Sequence, residues 1–159
     1  MKKREKKINW KVLILSFIAV YGVAFIGSIF TSSSVNSAWY SQIKPEITPP
    51  SLVFPIVWNI LFFLIAISLY LLVLNRKKKD NKKAIILFEI NLLLNVLWTL
   101  FYFKMQNPLL AFYEILFLWI SILLLILASY KVDKTAAYLL VPYLTWVSFA
   151  VVLNYLSAF

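Results

Sequence analysis

Five long apolar stretches separated by polar breaks restrict what this chain of 159 residues can fold into. They cover residues 8–30, 51–74, 84–104, 108–130 and 134–157. Each is close to the roughly 20 residues that an α-helix needs to cross the hydrocarbon of a bilayer. A soluble core cannot absorb them. Hydrophobic residues make up 63% of the chain and charged residues 14%, against about 45–50% and about 25% in soluble domains. In hydrocarbon the backbone groups must be paired within the protein, which selects helices or closed barrels, and segments this long select helices. The expected fold is an all-α integral membrane protein, a single five-helix bundle spanning residues 1–159, with one long loop at 31–50.

The breaks carry helix punctuation. Ser51, after Pro49-Pro50, is a candidate cap for the second span. Asn107-Pro108 gives the fourth a cap followed by proline at the first helical position, and Asp133 can cap the fifth. Short links after the second, third and fourth spans predict antiparallel neighbours. Pro142 lies inside the fifth span, where it removes a backbone hydrogen bond and should kink the helix. The first span is read as a retained helix rather than a cleaved leader. Its apolar run exceeds the 7–15 residues of a signal h-region, and the downstream Asn36-Ser37-Ala38 puts Asn where a small residue is needed.

Net charge is +10 with a lopsided distribution. Lys2, Lys3, Arg4, Lys6, Lys7 and Lys11 lead the chain; Arg76, Lys77, Lys78, Lys79, Lys82 and Lys83 follow the second span, and Lys131 and Lys134 follow the fourth. Only Lys44 and Lys104 belong to the other side. A bias of 14 to 2 predicts a cytoplasmic N-terminus, with basic blocks facing anionic lipid rather than nucleic acid. There is no Cys and no His, which removes thiolate sites, the usual haem ligand and the commonest metal ligand and general base. No metal site and no resident cofactor are expected.

The informative interior positions are polar or aromatic groups at matched depth. At about 1.5 Å per residue, Trp58, Trp98, Asn95, Trp146, Ala150 and Glu114 lie about 9–16 Å inside the end of the bundle that carries the long loop. Trp10 and Trp39 suit the membrane interface. Trp58, Trp98 and Trp146 lie deeper, either as packed core or as the wall of a cavity for a flat aromatic ligand that Asn95 would hydrogen-bond. Asn95 and Glu114 should face inward, Glu114 in a structural pair or against a ligand. Glu89, nearer the basic end, reads as structural, with Lys82 or Lys83 as its partner.

From Trp39 to Asn154 the sequence resembles the translocator protein family, also called tryptophan-rich sensory proteins or peripheral benzodiazepine receptors. The resemblance is carried by Trp39-Tyr40, Lys44-Pro45, Pro49-Pro50, Val57-Trp58 and Leu61, then by Leu94-Asn95, Trp98, Phe101 and Phe103. Pro108, Ala111, Glu114 and Leu118-Trp119 follow, and then Leu139-Leu140, Pro142-Tyr143-Leu144, Trp146, Phe149-Ala150 and Leu153-Asn154. It implies a five-helix fold in a membrane, here the bacterial cell membrane, often as a homodimer. It also implies a pocket under the first loop for porphyrins such as protoporphyrin and for flat synthetic ligands.

Carried onto this chain, the implied ligand-binding residues are Trp39, Trp58, Phe62, Asn95, Trp98, Trp146 and Ala150. Trp58 and Trp146 match the tryptophans linked in some members to light-dependent porphyrin breakdown. Three outputs follow: a porphyrin receptor in tetrapyrrole regulation or stress response, a light-dependent degrading enzyme in the same pocket, and a small-molecule carrier or assembly factor. The absence of His and Cys favours binding over conventional catalysis.

Departures from the family pattern bear on these implications. Phe62 stands where the family has Tyr, Ile47 and Leu52 replace loop aromatics, and Pro55-Ile56 replaces Gly-Pro. No Lys or Arg follows Tyr155, so the proposed sterol motif is incomplete. The third span has few small residues for the close backbone approach of a dimer.

Overall fold

The computed structural model describes residues 8–159; the basic residues Lys2, Lys3, Arg4, Lys6 and Lys7 lie outside them. Asn9 starts the first helix by accepting a hydrogen bond from the Val12 amide at 3.2 Å, and α1 runs Trp10–Ser32. Within the long loop, Ser37 caps a short helix, α2 (Ala38–Ile43), through the Tyr40 amide. The sequence had given no sign of that helix. The remaining helices are α3 (Val53–Leu74), α4 (Asn81–Thr99) continued by a π-helical turn over Leu100–Lys104, α5 (Pro108–Val132), α6 (Lys134–Leu139) and α7 (Val141–Ala158). Among the described residues five segments are long and apolar enough to cross a membrane, with α4 and its π turn forming one span and α6–α7 another.

Two of the three expected caps are in place. Asn107 accepts from the Leu110 amide at 2.9 Å ahead of Pro108, and Asp133 accepts from the Ala136 amide at 3.1 Å. Ser51 is not the third. The second span starts two residues later, behind Leu52, without a side-chain cap. Pro142 does more than kink its span: a turn at Leu140 separates α6 from α7, and Pro142 occupies the first turn of the new helix. There its missing N–H costs nothing.

The spans close into a ring. α1 packs on α3 and α4, α4 on α5, and α5 on α6 and α7, while α6 returns to α3. α3 and α4, expected as antiparallel neighbours, do meet, but each packs more extensively on α1 than on the other. The six residues between the two helices reach up to about 20 Å when extended, more than the about 8–10 Å that separates packed helices, so the link does not force α3 onto α4. Gly27 of α1 is buried at the α4 contact, where an added Cβ would lie 3.4 Å from Thr99 Oγ1 of α4.

Inside the ring Leu61, Ile65, Phe88, Ile115, Leu118 and Ile122 form a buried core. A smaller cluster at the loop end holds Tyr102, Phe103 and Ala111 beneath Trp39 and Tyr40. The π turn buries the adjacent Tyr102 and Phe103, and Ser34 Oγ donates to the Phe103 carbonyl at 2.9 Å. The long loop is thereby tied down over the bundle.

Candidate functional site

The break between α6 and α7 sets the geometry of the site. Below it α6 is packed against α3; above it α7 and α3 scarcely meet. Their backbones diverge toward the loop end, and aromatic side chains fill the wedge between them. From α3 come Phe54, Trp58 and Phe62, spaced by four residues and therefore on one face. From α7 come Tyr143 and Trp146, one turn apart.

The rings interlock in two steps. Phe54 meets Trp146 edge-on, with centroids 5.8 Å apart, and Trp58 meets Tyr143 edge-on at 6.1 Å. Trp58 also stacks on Phe62 at 5.2 Å, and Trp146 leans on Phe149 at 5.7 Å. Ala150 continues the same helix one turn above Trp146. The Tyr143 ring is buried, and its hydroxyl accepts a hydrogen bond from Asn95 Nδ2 of α4 at 3.0 Å.

Trp98 belongs to a neighbouring clamp. Its indole N–H donates to Asn154 Oδ1 at 2.9 Å, and Asn154 Nδ2 donates to the Pro108 carbonyl at 2.9 Å. One amide thus joins α4, α7 and the start of α5. Trp98 stacks on Tyr102 at 5.4 Å, and Tyr102 meets Trp39 edge-on at 6.0 Å. Tyr102 also donates to Ser157 Oγ at 2.9 Å.

Of the seven residues singled out from the sequence, Trp58 and Asn95 meet at Tyr143, Phe62 stacks on Trp58, and Trp146 and Ala150 line the adjoining part of α7. Trp98 and Trp39 are linked to each other through Tyr102. Trp39 does not line the wedge; with Ile43, Gln106, Asn107, Leu109 and Ser157 it borders an outer concavity of about 390 Å³. Gln106 there holds a left-handed φ of 52°, an uncommon conformation for a residue other than glycine.

Sequence reasoning missed Phe54, Tyr143, Tyr102 and Asn154 as site residues. The spacing of Phe54, Trp58 and Phe62, and of Tyr143, Trp146 and Ala150, carried the signal for the first two. Nothing local identified the Asn154 bridge, because it depends on three helices meeting.

Glu114 faces the interior, as expected for a carboxyl in a span, and of its two alternatives the structural pair is not formed among the described residues. Its carboxyl is buried, and neither oxygen has a hydrogen-bond partner among the described residues. Deeper along α4, Asn91 Nδ2 donates to Ser121 Oγ at 2.8 Å and leaves its own oxygen unpaired. Glu89 instead faces outward from the bundle. In the loop, burial pushes the Tyr40 hydroxyl above its ordinary range, so it stays neutral at physiological pH. Among the described residues Glu114 is the one acidic side chain buried in the interior, which is rich in π faces and suited to a flat apolar molecule with few polar edges.

Comparison with known proteins agrees with this architecture. The family model described as the TspO/MBR family matches residues 15–158. The chain is 42% identical to the Tryptophan-rich protein TspO of Chlorobaculum tepidum over 134 residues, covering 84% of this chain and 85% of the relative. It is 40% identical to the Tryptophan-rich protein TspO of Archaeoglobus fulgidus, covering 93% and 95%. The human Translocator protein is 31% identical, with 82% of this chain and 79% of the relative covered.

Proposed function

This chain is an integral multi-pass membrane protein that belongs to the TspO/MBR family, and on that premise we propose that it is a receptor for flat apolar tetrapyrroles of the protoporphyrin type. The observation that carries the reading is the wedge between α3 and α7. Two helices fastened at one end and apart at the other meet there through ring pairs, Phe54 with Trp146 and Trp58 with Tyr143. A planar macrocycle entering from the loop end would replace ring–ring contacts with ring–macrocycle contacts of the same kind, at centroid separations of about 4.5–7 Å. Asn95 supplies a hydrogen-bonding edge, and the loop carrying Trp39 and Tyr40 covers the neighbouring clamp. Receptor output would follow from the loop, which is anchored by Ser34 and the Trp39–Tyr102 contact. A homodimer is compatible with this reading, which does not require one.

Titration of the purified protein with protoporphyrin should quench tryptophan fluorescence saturably. Ala150→Leu adds bulk to the α7 wall and should weaken binding at least about tenfold, as expected when about 1.4 kcal/mol of fit is lost. The helical circular dichroism signal should be unchanged. Unaltered affinity in that variant would place the ligand elsewhere.

A light-driven enzyme is the second reading, favoured by one feature: Trp58 and Trp146, both oxidisable indoles, border the same wedge. The photosensitising ligand would supply the reactivity and the protein its position. Under illumination in air, bound protoporphyrin should then change faster than free protoporphyrin in the same detergent. Trp58→Phe with Trp146→Phe should abolish that difference while keeping most of the binding. Equal bleaching with protein, double variant and empty micelles would leave the receptor reading alone.

A further inference from the structure

The end of the bundle opposite the long loop carries a second recognisable surface. Lys79, two residues before α4, and Lys82 and Lys83 in its first turn line a concavity of about 410 Å³ together with Ile86 and Leu87. Its wall is mostly hydrocarbon. Ile86, Ile90 and Leu93 continue from it along the outward face of α4, at the four- and three-residue spacings of one helical side. Asp80 provides no side-chain cap to this helix, and the positive end of the α4 dipole points into the same region.

We infer that this concavity is a binding site for one anionic phospholipid. Lys79, Lys82 and Lys83 hold the headgroup phosphate, and an acyl chain lies over Ile86, Leu87, Ile90 and Leu93. Three ammonium groups above an apolar wall match the two halves of such a molecule. The lysine stems can lie along the wall while their charged ends stay at headgroup level. A free anion would gain nothing from the stripe, and a zwitterionic lipid would bring no net charge to the lysines.

Neighbouring charges define the specificity. Lys78 is directed away, donating to the Val132 carbonyl at the end of α5. Lys134 sits over the Tyr130 ring, 5.3 Å from its centroid. The acidic groups near the site along the chain are Asp80 at its rim and Glu89, which faces outward two turns below Lys82. Glu89 opposes a second anion, which limits the site to one lipid. The site is remote from the α3–α7 wedge and stands or falls independently of the tetrapyrrole reading.

Native mass spectrometry of the full chain, released from micelles holding equal dioleoyl phosphatidylglycerol and dioleoyl phosphatidylcholine, tests the assignment. One phosphatidylglycerol should be retained preferentially. A basic side chain near a membrane surface is worth about fivefold in affinity, so Lys79→Gln/Lys82→Gln/Lys83→Gln should weaken retention on the order of a hundredfold. Lys131→Gln/Lys134→Gln, which removes charge at the same end but outside the concavity, should retain the lipid as the wild type does. Ile86→Asn should also lower retention, with no change in charge, and Glu89→Gln should raise it. Equal retention of the two lipids would overturn the site, as would equal loss in both lysine variants or displacement of the lipid by millimolar inorganic phosphate.

Discussion

Replacing Asn154 with Leu removes two partly buried hydrogen bonds without opening a large cavity, because the two side chains are similar in size. The indole N–H of Trp98 and the carbonyl of Pro108 both lose a partner that stands at 2.9 Å. Side-chain hydrogen bonds inside membrane bundles average about 0.6 kcal/mol and reach about 1.7. Two of them put the cost of Asn154→Leu at about 1–3 kcal/mol. Trp98→Phe breaks only the first bond and shortens the ring.

The pair therefore forms a cycle in which the double variant isolates the Trp98–Asn154 term, expected at about 0.6–1.7 kcal/mol. The measurement is sodium dodecyl sulfate-induced unfolding followed by circular dichroism, which does not depend on the tryptophan being removed. Strict additivity, with coupling below about 0.3 kcal/mol, would refute the claim that Trp98 is a clamp between helices. It would return Trp98 to the ligand wall on which the sequence had placed it.

The two glycines of α1 should behave differently. A methyl group at Gly22 meets nothing within 4 Å and at Gly27 only an ordinary contact with Thr99, so alanine is tolerated at both; Gly27→Leu overpacks the α1–α4 contact and should cost about 1–3 kcal/mol in the same unfolding assay. Single cysteines at Ser33, Lys77 and Phe159, in a chain without native cysteine, test the cytoplasmic N-terminus that the basic bias predicts. An impermeant reagent on intact cells should label 33 and 159 and spare 77, and the opposite pattern would invert the topology. Because burial raises the Tyr40 pKa from 10.0, the unfolded chain loses that proton first, and its contribution to stability should fall as pH rises past about 10. Tyr40→Phe should flatten that part of the stability profile relative to wild type, and an identical slope in both would count against a buried neutral hydroxyl.

Fold class was legible because hydrocarbon imposes a length and an apolarity that composition displays directly. Five spans were visible, and the observed helix ends lie within about three residues of the expected ones. The Asn107 and Asp133 caps could be read because a cap is a contact over three residues, within reach of local sequence. Lateral arrangement is different. In water a helix marks its buried face by contrast with a polar one; in a membrane, lipid and core are both apolar, and the contrast fades. Nothing in the residues of α3 and α4 showed that each would pack more on α1 than on the other, or that Trp39 would reach Tyr102 instead of the wedge. Trp58, Asn95 and Trp146 stood out singly, as costly or bulky groups at similar depth. The meeting of Trp58 and Asn95 at Tyr143, the pairing of Trp146 with Phe54, the separation of α3 from α7 above the Pro142 break, and the burial of the Glu114 carboxyl depend on which helix faces which. Only packing in three dimensions fixes that.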